Sequence, residues 1–357
     1  MIKMNQTPSP ILIVPYVWIG DFVRCHSVVR LLKEQDPDRP IDMISSSLCA
    51  PLADYMPGVR KAIVVDLPRR KLPLKLYRAL AARLRDEFYV QAIVMLRTWK
   101  SALAPWLAGI PLRTGFVGEM RYKLLNDIRH GEHDLPRMID RMGALALLPG
   151  EPLPPSWPLP ELKVPADEIA AWRAANNLAP NGRRVVAFAP GAVGKGKAWP
   201  VGHYAQLGAA LTAGGHDIWV LGGPSETPLA AEIETRGGAS VHDLTGHDLR
   251  NAIVALAAAD AAVTNDSGLM HVAAAIGTPT IAIFGPTSPW HWAPLNPVAA
   301  ILEPPGDEAA RERARIEGNA AVAHRRTADV AVETVLDATR NALAGSQQQA
   351  RPVLVGS

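Results

Sequence analysis

Apolar residues in this chain come in short runs. ILIVPY (11–16), IDMISS (41–46), KAIVVD (61–66) and QAIVML (91–96) are rich in β-branched residues and have strand length. Between them the apolar positions spread to a helical period, as over 73–87. Strands alternating with helices predict a parallel sheet covered on both faces. The pattern then breaks at EPLPPSWPLPELKVP, 151–165, where six prolines mark a stiff linker or a domain boundary. It restarts with strands at RRVVAFAP (183–190), DIWVLGG (217–223), AAVTND (261–266) and TIAIFG (280–285), separated by helical patterns at 201–213, 226–236 and 249–259. The two halves share this pattern but no visible sequence repeat. Residues 303–326, rich in Glu, Arg and Ala, read as a charged helix or a loosely ordered excursion. TADVAVETVLDATRNAL (327–343) reads as an amphipathic helix capped by a threonine, and the last dozen residues as a frayed end.

A length of 357 residues fits two domains better than one core. The expected division is 1–160, 161–325, and a C-terminal helix with its tail at 326–357. The first residues, MIKMNQTPSPILIVPYVWIG, have no basic n-region and lead into a strand, so no signal peptide is expected. No segment approaches the roughly 20 apolar residues of a membrane span. The cysteines Cys25 and Cys49 form neither a disulfide framework nor a metal motif, and suit a reducing cytoplasm.

Net charge is +3, unevenly placed: residues 1–160 hold 22 Lys and Arg against 15 Asp and Glu. The cluster Arg69, Arg70, Lys71 and Lys75 contributes much of this. Such a cluster is a solvated face or a surface for an anionic partner. Nucleic acid is not favoured, because the basic residues are not interleaved with aromatics and no nucleic-acid motif is present.

In sheets of this kind ligands bind beyond the carboxyl ends of the strands. The segments there are VWIGDFV (17–23), APGAVGKGKAWP (189–200), GGPSE (222–226) and NDSG (265–268). The second contains Gly191, Gly196 and Lys197 at P-loop spacing, but Ala198 stands where magnesium-holding Ser or Thr would be, so an NTPase is excluded. With Ala192 and a second lysine, Lys195, the loop is either a phosphate cradle or simply flexible. Asp21 is a helix N-cap or a general base. Asp266 and Ser267 would cap a helix whose N-terminus either binds an anion or only joins two strands. Asp36-Pro37-Asp38 has the spacing of a metal-dependent sugar transferase but reads as a turn, and no zinc, G-x-S-x-G or G-x-G-x-x-G signature follows a strand.

Taken together, VWIGDFV, KSALAPWLAGIPLRTGFVGEMRYKLLND (100–127), APGA…KAWP and NDSGLMHVAAA…GPTSP resemble the ADP-heptose:lipopolysaccharide heptosyltransferases of glycosyltransferase family 9. The block RTGF…GEMRY…LLND is similar to the heptosyltransferase II branch, and the matching blocks run in order from about residue 11 to 290. The resemblance implies an α/β, GT-B architecture of two Rossmann-like domains with parallel sheets facing across a cleft. The N-terminal domain would hold the acceptor and the C-terminal one the nucleotide-sugar. It implies an inverting enzyme with no metal and no cofactor, ADP-heptose being a co-substrate. Asp21 then takes the role of base, Lys197 holds the diphosphate, and Glu226 falls at the ribose. Asp266, Ser267, Gly268 and His271 fall at the heptose and diphosphate.

The acceptor would be anionic, membrane-anchored heptosyl-Kdo-lipid A, met at the cytoplasmic face of the inner membrane. Its candidate surface is Arg69, Arg70 and Lys71 with Arg113, Glu119, Arg121 and Lys123. This chain departs from the family in Ala198, where arginine often follows the lysine, and in the unmatched region after Pro289. The alternatives are another GT-B enzyme with a different nucleotide-sugar, such as a sugar-nucleotide epimerase or another family 9 transferase, and a binding protein that has lost catalysis.

Overall fold

A computed structural model describes residues 9–68 and 72–349. Arg69, Arg70 and Lys71 lie outside the described residues, as does the end of the expected tail. The chain divides into two compact units, with the break between Glu161 and Leu162.

The first unit runs β1 (Ile11–Val14), α1 (Ile19–Gln35), β2 (Ile41–Ser45), α2 (Ala50–Asp54), β3 (Lys61–Val64), α3 (Leu74–Arg85), β4 (Gln91–Val94), α4 (Trp99–Leu107), β5 (Leu112–Phe116), β6 (Asp127–Arg129) and α5 (Met138–Ala144). Its parallel sheet has the order β3-β2-β1-β4-β5-β6. Strand β1 is buried along its whole length, pairing Ile11 with Ile41 on one side and Gln91 on the other. A strand covered on both faces needs an unbroken apolar run, and ILIV supplies it.

The proline-rich stretch is more than a linker. Trp157 is buried, its indole N–H donates to Asp140 Oδ1 at 2.8 Å, and its ring lies where a side chain at Gly143 would stand. That packing ties the stretch to α5.

The second unit runs α6 (Ala166–Ala175), β7 (Val185–Ala189), α7 (Val201–Ala213), β8 (Asp217–Gly222), α8 (Thr227–Gly237), β9 (Val241–Thr245), α9 (Leu249–Ala258), β10 (Ala261–Asn265), α10 (Gly268–Ile276), β11 (Thr280–Ile283), α11 (Pro289–Trp292), β12 (Ala299–Leu302), α12 (Glu308–Glu317) and α13 (Val332–Gln349). Its parallel sheet has the order β12-β11-β10-β7-β8-β9. Phe188, Trp199, Tyr204, Ile218 and Val263 anchor its core.

Each sheet reverses its strand order once, between β1 and β4 in the first unit and between β7 and β10 in the second. The reversal leaves a crevice at the carboxyl ends, the place where such folds bind ligands. One boundary differs from expectation. The final helix starts at Val332 and not at a threonine cap, because Thr327–Asp329 form a separate 3₁₀ turn. Of the two readings of 303–326, the charged helix holds: α12 forms there and packs on the turn at Gly318–Val322.

Candidate functional site

In the second unit the loop after β7 is held at both ends by one residue. Asn265, fully buried at the end of β10, donates from Nδ2 to Pro190 O at 2.6 Å. Its Oδ1 accepts from the backbone N–H of Trp199 at 2.9 Å. Thr327 closes the far side by donating to Ala198 O at 2.7 Å, and the Trp199 indole donates to Val330 O at 2.9 Å. A loop without secondary structure is thereby fixed before any ligand arrives. Gly196 has φ +77°, a backbone state that favours glycine. Gly191 is needed for a different reason: a Cβ there would meet the Glu226 side chain at 2.9 Å.

Glu226 precedes α8, and its carboxylate accepts from Gly223 N and Ser225 Oγ, each at 2.8 Å. Gly191 and Glu226 therefore lie against each other, with Ala192 half-buried next to them. Lys197 reaches Asp266, Nζ to Oδ2, at 2.7 Å, and Thr287 Oγ1 donates to the same oxygen at 2.7 Å. The Lys197 side chain is 23% exposed and that of Asp266 only 7%. An ammonium has three N–H groups, so Lys197 can keep Asp266 and still donate to an anion. Lys195 is exposed on the same loop.

Asp266 does not cap α10, since its carboxylate is turned to Lys197 and Thr287. Ser267 occupies the cap position, but its hydroxyl, buried, has no hydrogen-bond partner among the described residues. Helix α10 thus begins at Gly268 with its first N–H groups uncapped by a side chain, next to Lys197. His271 is buried in the first turn. This end carries partial positive charge and suits a phosphate.

In the first unit α1 starts at Ile19, earlier than expected, because Phe22 N already bonds to Trp18 O at 2.8 Å. Asp21 is therefore a first-turn residue and not the N-cap. Its Oδ1 lies 3.4 Å from Arg24 Nη1, with the Asp21 side chain 15% exposed. A cavity of about 520 Å³ adjoins this turn, lined by Tyr16, Trp18, Phe22, Leu48, Leu67 and Lys100 among others. It lies at the carboxyl ends of β1, β2 and β4, and its walls are mainly apolar. Trp18 and Leu48 remain about half exposed. Burial, with the Glu132 carboxylate second, pushes the Tyr16 hydroxyl far above its usual range, so it stays a neutral donor.

One expected acceptor contact, Arg121, is corrected here. Arg121 is 1% exposed and donates to the carbonyls of Phe116 and Leu96. Burial lowers its pKa to about 10, which still leaves it charged at neutral pH. Arg113 donates from Nε to Leu124 O at 2.7 Å and from Nη1 to Ile110 O. The buried Arg121 guanidinium is thus committed to backbone carbonyls beside β5 and is structural, whereas Arg113 is only half-buried. Glu119 is exposed and accepts from Trp99 N at 3.3 Å, at the start of α4. Lys123 is exposed.

Asn265, Thr287 and Thr327 were not among the sequence candidates. Only the position of Asn265 at a strand end hinted at it. The two threonines act on loops far from them in sequence, which no local pattern reveals.

Each unit is thus a parallel α/β fold whose candidate site lies at its switch point, a phosphate-suited loop in one and a carboxylate in the other. The sequence model of glycosyltransferase family 9 (heptosyltransferase) matches residues 77–337, and the chain belongs to this family. It is a glycosyltransferase of the GT-B fold. The lipopolysaccharide heptosyltransferase 2 of Escherichia coli is 37% identical over 304 residues, covering 82% of this chain and 87% of that protein. The lipooligosaccharide heptosyltransferase 2 of Haemophilus ducreyi is 39% identical over 308 residues, covering 82% and 88%. The solved structure of the E. coli ADP-heptose lps heptosyltransferase II has a TM-score of 0.81 at 33% identity, over 96% of this chain and all of that one.

Proposed function

We propose that this chain transfers L-glycero-D-manno-heptose from ADP-heptose to the first heptose of Kdo-lipid A, in the inner core of lipopolysaccharide. The second unit binds the donor and the first binds the acceptor. The observation that carries the reading is the Lys197–Asp266 pair beside the uncapped start of α10. A leaving ADP develops negative charge on its diphosphate, and preorganised donors there stabilise it. Lys197 and the N–H groups at Ser267 and Gly268 are those donors. Glu226 takes the ribose hydroxyls, and Asp266 and His271 the sugar.

Asp21 removes the proton from the acceptor hydroxyl as it attacks the anomeric carbon, with inversion. Trp18 and Lys100 line the cavity next to this turn, and such an aromatic wall with one cation suits an acidic sugar. With Arg121 assigned to structure, Arg113, Lys123 and Glu119 are the described residues left from the acceptor surface expected from sequence. The acceptor is lipid-linked, so the enzyme works at the cytoplasmic face of the inner membrane. No helix among the described residues is long and apolar enough to cross it. The chemistry uses the protein's own charges, with neither metal nor cofactor.

The test is ADP release from ADP-heptose with and without mono-heptosylated Kdo-lipid A, with UDP-sugars as competing donors. Acceptor-dependent release from ADP-heptose supports the reading. UDP release from a UDP-sugar, or an epimerised donor, would replace it with another GT-B activity.

A further inference from the structure

The excursion at 303–326 is tied together internally. Glu303 pairs with Arg325 at 2.5 Å and with Arg311 at 3.0 Å. Asp307 accepts from Ala310 N at 3.2 Å at the start of α12 and meets His324 Nε2 at 2.8 Å. Ala310, Ala314, Ala321 and Val322 form a small core of their own. Just past α12, Asn319 Oδ1 accepts two N–H groups: the backbone of Ser288 at 2.9 Å and the indole of Trp292 at 3.0 Å. Arg315 adds a second hold, its guanidinium 5.0 Å from the Trp290 ring centroid.

These three contacts all fall on the segment 288–292, which directly follows Thr287. Helix α11 within it is only four residues long, too short to hold its own shape. Thr287 in turn donates to Asp266, and Asp266 holds Lys197. A chain of contacts therefore runs from Asn319 to the lysine.

We propose that Asn319 is a positioning residue of the donor site. By fixing Ser288 and Trp292 it sets the Thr287 hydroxyl, and through Thr287 it aims the Asp266 carboxylate at Lys197. The excursion is the rigid bracket that carries it. The inference rests on the reading that Lys197 and Asp266 hold the donor diphosphate and sugar. What Asn319 supplies is an acceptor oxygen with two lone pairs, which aspartate also has and alanine or leucine lacks.

The experiment is calorimetric titration of ADP into the whole protein and its variants N319A, N319L and N319D, with K197A as the control for the site. N319A and N319L are expected to bind ADP about five- to thirtyfold more weakly, the net worth of one to two hydrogen bonds. N319D is expected within about twofold of the parent, because it restores the acceptor. The acceptor KM should not move in any of the Asn319 variants. Normal ADP binding by K197A would overturn the donor-site reading, and this inference with it. Weak binding by K197A with normal binding by N319A and N319L would overturn the bracket alone. Equal weakening in N319A and N319D would overturn it too, since the acceptor oxygen would then be irrelevant. If N319A does not fold, W292F decides: loss of one N–H should weaken ADP about two- to fivefold, and unchanged binding contradicts the proposal.

Discussion

The two units share a sheet topology and treat its switch point in opposite ways. In the second unit the switch is filled by a loop that polar side chains hold in place: Asn265 at both ends, Thr327 at Ala198, Thr287 at Asp266. In the first unit the switch opens into a cavity with mainly apolar walls, and a carboxylate stands beside it in the first turn of α1. A small, doubly charged group must find its donors already oriented, because reorganising them costs much of their effect. A bulky acceptor needs room and one well-placed base. On the proposed reading the same scaffold meets two demands by changing only the segments beyond its strands.

Removing the proposed base breaks the comparison most severely. Asp21→Ala is expected to lower turnover by about 10²–10⁴-fold, read by steady-state heptosyl transfer. Near-normal turnover would leave Asp21 as a first-turn carboxylate that merely favours the helix dipole.

Next in size is the arginine whose role the structure reassigns. Arg121→Ala strands the carbonyls of Phe116 and Leu96, so a loss of about 3 kcal/mol of stability is expected in a urea titration. Lys123→Ala, exposed two residues later, should stay within about 0.5 kcal/mol. Equal and small effects would return Arg121 to the surface.

Lys197→Ala sharpens the contrast from the other unit. Losing a charged donor is worth roughly 1.5–3 kcal/mol, so the donor KM should rise about tenfold to a hundredfold while the acceptor KM stays constant. An unchanged donor KM would pass the role to Lys195.

The first unit should also carry its own pH sensitivity. His26 is fully buried, with Nδ1 accepting from Glu161 N at 2.9 Å and Nε2 donating to Pro57 O at 2.8 Å. This geometry requires the neutral ring, and burial drops its pKa to about 4 from 6.5. Arg30 lowers it further, while the Pro57 carbonyl and Glu161 oppose the shift. The unfolded chain therefore binds the extra proton first. Stability is full above pH 6.5 and falls as the pH drops from there towards 4, by about 2 kcal/mol at pH 5. Thermal melts at pH 7.5 and 5 should show this fall, and His26→Leu, less stable at neutral pH, should flatten it. An equally steep fall in the variant would assign it to other groups.

The parts legible in the sequence were those with a local cause. ILIV and VVAFA are buried on both sides and could be nothing but central strands. Asp21, Lys197 and Asp266 stood out because they lie in the segments that follow such strands, where ligands bind in this kind of sheet. The outer strands were harder: LRTGF at β5, next to the edge strand β6, and VHDLT at β9, an edge strand, are polar and short, so their periodicity is weak. Arg121 was misread because charge is visible in a sequence and burial is not. Thr327 joins a loop 129 residues earlier in the chain, a relation that only folding creates.

The division of labour itself is tested most directly by titrating ADP into Asp21→Ala and Lys197→Ala side by side. Asp21→Ala should bind ADP with the affinity of the parent protein while failing in transfer. Lys197→Ala should lose about tenfold to a hundredfold in ADP affinity. Weakened ADP binding in Asp21→Ala, or undiminished binding in Lys197→Ala, would contradict the assignment of base and donor grip to separate units.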